Sequence, residues 1–268
     1  MFPSQLSMPS TTAGVARVLA YLLLVAAGLG LLRYLRTFAR RVLAEPYRDR
    51  WRYLAVGVGA AVVYGAAGLL ESAGLAPAVA FRRGATLFFF LFCAVGLRAV
   101  HRSVGGDPLL PESWARYLGP AVVGGFVLAW WSAYLLGLGS AVAVLELAGL
   151  LLAVAYTLYH AVGTVRAQEG TSVAAFTRQF VPALLAFAAL AAAGHVDVVA
   201  PAAATAAEGV ALVATVLAGA FLFTTTVALR QQTVEVSRMY DPTTWRSATV
   251  GGRDYDPDHE PGVGGPDD

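Results

Sequence analysis

Seven times along this chain, at least seventeen consecutive residues pass with no more than one Arg, Asp or Glu among them: near 13–32, 53–72, 84–100, 118–136, 141–162, 180–199 and 208–229. A bilayer's hydrocarbon is about 30 Å thick, and a helix rising about 1.5 Å per residue crosses it in roughly twenty residues. Peptide N–H and C=O groups find no water in oil, so each run must coil and satisfy its own backbone. The expected fold class is all-α: a polytopic integral membrane protein, a bundle of seven transmembrane helices over 13–240. A segment 1–12 precedes it, and an acidic tail, 241–268, reads as disordered. The third run is the shortest, and Arg98 must snorkel from its inner end. Gly137-Leu138-Gly139-Ser140 leaves room only for a tight hairpin between the fourth and fifth.

Composition points the same way. Only 13% of the 268 residues are charged, against about a quarter in soluble domains, so the chain lacks the polar side chains to coat a soluble globule. Cys93 is the single cysteine, which excludes a disulfide framework within one chain. All nineteen Lys-or-Arg positions are arginine. Together with the acidic, Gly/Pro-rich tail, that bias suggests a haloarchaeal source, with an actinobacterium as the alternative. The last fifteen residues hold six of the seventeen acids and no arginine. The rest therefore carries nineteen arginines against eleven acids, a balance of +8.

Arginine counting sets the orientation. If 33–52 is cytoplasmic, sixteen of the nineteen arginines share its side, and only Arg17, Arg82 and Arg83 lie opposite. An even number of crossings would break that bias, so the N-terminus is expected outside and the C-terminus inside, as in a multi-pass protein of the cell membrane. Met1–Thr12 has no basic residue, so helix one is expected to be retained rather than cleaved as a signal peptide. Tyr34, Tyr47, Trp51, Tyr53, Trp114 and Tyr117 inside, and Tyr134 outside, read as the interfacial aromatic belt.

Helices in lipid associate through small residues. Candidate ladders are Gly57, Ala61 and Gly65 on helix two; Gly125, Ala129, Ala133 and Gly137 on helix four; and Gly149, Ala153, Thr157 and Ala161 on helix five. Pro120 and Pro182 are expected at the cytoplasmic starts of helices four and six. No proline then interrupts a span, which counts against the broken helices of many transporters.

Ionisable groups within spans are costly and raise a functional question. Glu146 is the deepest acid. Arg17, Glu71, Arg82, Arg83, His195, Asp197 and Glu208 fall near the same outer face. They read either as an outward-opening pocket for a small ligand, proton or ion, or as a salt-bridge layer tying helix ends together. His101 and His160 fall at the inner ends of helices three and five and are weak metal candidates, since no Cys or acid at suitable spacing completes a ligand set. Thr224-Thr225-Thr226 and Trp130-Trp131 would line an apolar ligand or simply bond their own backbone and pack. Arg36, Arg40, Arg41, Arg48, Arg50 and Arg52 would meet anionic lipid headgroups or a protein partner. The segment carrying them is expected to prolong helix one and stop before Pro46. Residues Arg230–Met239 are expected to prolong helix seven until Asp241-Pro242 ends it.

The topology resembles that of microbial opsins, but a retinal Schiff base needs a lysine amine and the chain has none. Seven-helix sugar carriers share the topology, yet no Pro-Gln motif is present. The Gly-x-Ser-Gly turn of rhomboid proteases is also absent. The membrane regions of prokaryotic sensor kinases resemble it in architecture alone. The reading that remains is a non-enzymatic sensor or partner-binding scaffold, without cofactor or nucleic acid, touching anionic lipid and a cytoplasmic or membrane protein. The alternative is a transporter or channel-like carrier using Glu146. A third reading, an intramembrane lipid-modifying enzyme, has only the two inner histidines behind it.

Overall fold

The computed structural model describes residues 11–41, 45–103, 112–167, 169–196 and 200–239. All regular structure among them is helical: α1 (Thr11–Arg41), α2 (Glu45–Ser72), α3 (Ala78–Ser103), α4 (Glu112–Leu135), α5 (Gly139–Ala167), α6 (Ser172–Ala193), a 3-10 turn (Pro201–Ala203) and α7 (Ala204–Met239). Six of these are long and apolar enough to cross a membrane: Thr12–Phe38, Trp51–Ser72, Phe81–Arg102, Ala141–Ala167, Ser172–Ala193 and Pro201–Val234. The protein is a helical bundle suited to a membrane.

Local chemistry explains the ends. Pro46 is the second residue of α2, where its missing N–H costs nothing. Thr171 caps α6 by accepting from the Ala174 amide at 3.3 Å, satisfying one of the four orphan donors of a helix start. Gly137, at φ +68°, makes the α4–α5 hairpin turn that a β-carbon would oppose.

Two expectations about proline are corrected. Pro182 does not start helix six. It sits inside α6 and in the middle of the span Ser172–Ala193, so a proline does fall within a span; α6 begins ten residues earlier at Ser172 because Thr171 supplies the cap. Pro120 likewise lies well inside α4, which begins at Glu112.

Six helices close a ring in the order α1, α2, α3, α5, α6, α7 and back to α1; α4 packs outside it, chiefly on α5. An aromatic column fills the ring. Tyr21 and Tyr64 meet at 6.2 Å, and Tyr64 meets Phe187 edge-on at 6.0 Å. Phe187 stacks on Phe89 at 4.2 Å, Phe180 on Phe176 at 5.4 Å, and Trp51 lies between Phe176 (4.9 Å) and Phe38 (5.6 Å). Such pairs add about 0.5–1.5 kcal/mol each beyond the area they bury. Trp51 is thus a core residue, 2% exposed, and not an interfacial anchor. It packs inward because α1 continues to Arg41 and offers it Phe38.

The seams follow small residues. A β-carbon on Gly57 would lie 2.8 Å from Cys93 Sγ of α3, and one on Gly65 2.8 Å from Val25 of α1. Gly149 meets Phe126 of α4, and Thr157 and Ala161 on its ladder are buried. The α4 ladder fails: Gly125 faces open space and Ala129 is exposed, while Ala133 is buried. Spacing alone could not show that α4 has one packing neighbour instead of two.

Candidate functional sites at the two ends of the bundle

One end of the ring carries the outer-layer residues, and the structure distributes them over three seams. The α2–α3 connection is short, so Glu71 on the last turn of α2 faces Arg82 on the second turn of α3. Arg82 Nε lies 2.8 Å from Glu71 Oε2, a charge contact whose N–H points off-line; the Nη2 group donates to Oε1 at 3.4 Å. Arg82 Nη1 also donates to the Tyr64 hydroxyl at 3.3 Å, and its guanidinium lies 5.8 Å from the Tyr64 ring centroid. Tyr21 of α1 closes the group, with its ring against Gly68. Sequence reasoning missed Tyr64. Its signal was a spacing of seven residues from Glu71, two turns up the same helix face.

The second pair joins α5 to the end of α6. His195 Nδ1 donates to the Ala191 carbonyl at 2.8 Å, and Nε2 lies 3.2 Å from Glu146 Oε2. A carbonyl only accepts, so Nδ1 carries a proton. The bond to Glu146 raises the imidazole's pKa above its ordinary value; burial opposes this, the Ala191 carbonyl and the carboxylate charge add to it, and Arg83 lowers it again. The third pair, Arg17 of α1 with Glu208 of α7, is long at 3.6 Å and well exposed, a type that contributes little. Arg83 is exposed beside the second pair. Asp197 lies outside the described residues.

At the opposite end, His101 of α3 and His160 of α5 are both buried, with their Nδ1 atoms 3.0 Å apart. Gly163 makes this possible, since a β-carbon there would lie 2.5 Å from His101 Nε2. Tyr156 packs edge-on at 4.5 Å from His160. One imidazole donates and the other accepts, which leaves a single shared N–H between them. No group of three metal-ligating side chains occurs among the described residues.

Arg36 and Arg52 are exposed at this end, as are Arg33, Arg102, Arg166, Arg178 and Arg230. The side chains of Arg40, Arg41, Arg48 and Arg50 lie outside those described. On α7, Thr225 and Thr226 are buried and bond the carbonyls of Phe221 and Leu222; Thr225 also reaches Gln179 O on α6 at 3.1 Å. Trp131 is exposed, and the Trp130 side chain is not described.

Compared with protein-family models, with curated proteins and with solved structures, the chain matches none.

Proposed function

We propose that this is a seven-span protein of the cell membrane, N-terminus outside and C-terminus in the cytoplasm, acting as a sensor or partner-binding scaffold. The observation that carries the reading is the aromatic column. Phe89, Phe180 and Phe187 occupy the middle of the ring and are fully buried, where a carrier would need polar groups along a path. The charged outer residues pair across seams, an arrangement that holds helix ends. The arginines at the other end face anionic headgroups and a partner's acidic surface. α4 supplies the seventh crossing, with no Arg, Lys, Asp or Glu between Tyr117 and Leu136.

Tags on the two termini, probed in intact cells, test the topology; accessibility from the same side would refute it. Co-purification from native membranes tests the scaffold, which fails if the protein is always recovered alone. A second reading has one specific observation in its favour. Glu146, about two turns into α5, is bonded to the protonatable His195, as a proton-coupled carrier would require. Glu146→Gln in proteoliposome flux measurements decides it, since unchanged flux removes Glu146 from any transport mechanism.

A further inference from the structure

His195 and Glu146 form a contact whose strength depends on a proton. Doubly protonated, His195 donates through Nδ1 to the Ala191 carbonyl at 2.8 Å. Nε2 faces the carboxylate at 3.2 Å. With the second proton, an imidazolium meets a carboxylate in a charge-assisted bond. Without it, a single N–H serves two acceptors, so a lone pair meets either the Ala191 carbonyl or the carboxylate and the two contacts can no longer both be kept.

The position gives this contact leverage. α5 and α6 are joined at the inner end by the four residues between Ala167 and Ser172, so they form a hairpin hinged there. Glu146 and His195 tie the same hairpin at its open, outer end. α4 packs chiefly on α5, so whatever frees the outer end of α5 frees α4 with it.

We propose that the Glu146–His195 contact is a proton-operated latch that holds the outer ends of α5 and α6 together in acid and releases the α4–α5 arm as the outside becomes alkaline. The proposal rests on the sensor reading and names its input, the external proton concentration. The groups around the latch are few. α3 contributes Arg83, exposed, and Arg82, already paired to Glu71. α7 contributes Glu208, engaged with Arg17 of α1. The outer half of α4 carries no Arg, His, Asp or Glu and has Tyr134 as its titratable side chain, and α5 carries only Glu146 there. Asp197, two residues on, lies outside the described residues. The raised pKa of His195 places release on the alkaline side of an ordinary histidine, which titrates near 6.5.

Two variants separate a latch from a merely structural contact, because they act in opposite senses. An amide in Glu146→Gln can accept from an Nε2–H or donate to a bare Nε2, so this variant stays closed at every pH. His195→Ala removes the contact and stays open at every pH. Spin labels on Val144→Cys of α5 and Val210→Cys of α7, both exposed, read the distance in the full chain in lipid nanodiscs. The lone native Cys93 is fully buried and escapes labelling.

Between about pH 5 and about pH 9, a range spanning histidine's titration, the native distance should widen. It should stay short in Glu146→Gln and long in His195→Ala. A distance that ignores pH in the native sequence, or a pH response that survives in Glu146→Gln, overturns the latch. Should His195→Ala not fold, the Glu146→Gln result still decides. Partner recovery from native membranes at the two pH values reads the sensor function separately. A latch that opens while the captured partner is unchanged stands by itself, and the sensor reading falls.

Discussion

Alanine at Gly57 should weaken the bundle, and alanine at Gly59, two residues along the same helix, should strengthen it. Each exchange gains about 0.5–1 kcal/mol from helix propensity, since glycine loses more backbone freedom on folding. At Gly59 nothing lies within 4 Å of the new β-carbon, so that gain stands alone. At Gly57 the new carbon meets Cys93 Sγ at 2.8 Å, and the Cys93 nitrogen and Phe89 oxygen at 3.3 Å. Two of these are backbone atoms and cannot rotate away, so α2 and α3 must move apart.

Overpacking of this kind costs about 1–3 kcal/mol, which leaves Gly57→Ala between about 0 and 2.5 kcal/mol less stable than the parent. The difference between the two variants removes the propensity gain and isolates the clash at about 1–3 kcal/mol. Adding Cys93→Ala to Gly57→Ala removes the sulfur but not the backbone atoms, so the pair should be non-additive and recover only part of the loss. Reversible unfolding in mixed micelles, followed by circular dichroism, measures the parent, the three single variants and the double variant. If Gly57→Ala matches Gly59→Ala in stability, the close α2–α3 seam is wrong.

Arg82→Met strips a partner from both Glu71 and the Tyr64 hydroxyl, and should cost about 1–3 kcal/mol. Arg17→Ala, at an exposed pair, should stay within about 0.5 kcal/mol by the same unfolding measurement. The folded pKa of His195 is raised, so its stabilisation is full below the unfolded value of about 6.5 and is lost as pH rises through the folded value; His195→Ala should flatten that slope in melts recorded across pH. Purified protein should carry less than one equivalent of transition metal by elemental analysis. His101 and His160 bond each other, and Arg98 and Arg102 oppose added positive charge there. Stoichiometric metal that His160→Ala abolishes would restore the lipid-modifying enzyme.

Much of the helical layout was legible, because solvation of the backbone leaves an apolar run few choices. The continuation of α1 to Arg41 was legible too, from the alternation of apolar and basic residues before Pro46, and that of α7 to Met239 from the absence of a helix breaker between Arg230 and Met239. Partner choice was not. The ladder on α5 lies at a true seam and the one on α4 does not, although both have the same spacing, because a stripe says nothing about whether a neighbour is there. The start of α6 was misplaced since Pro182 looked like an N-terminal proline, while the real cap, Thr171, sits in a polar stretch that carries no periodicity. At the end of the bundle that holds Glu71 and Glu146 the residue types were visible in the sequence, but their pairing across α2–α3, α5–α6 and α1–α7 is a property of the ring's closure.

Placing α4 outside the ring has a consequence for the directions of the helices within it. α3 and α5 are ring neighbours that run in the same direction, and so are α7 and α1, whose N-terminal ends meet at Arg17 and Glu208. Six helices wound strictly up and down would return the chain to the face it left. With α4 intervening between α3 and α5, the first turn of α1 and the last turn of α7 lie at opposite ends of the bundle.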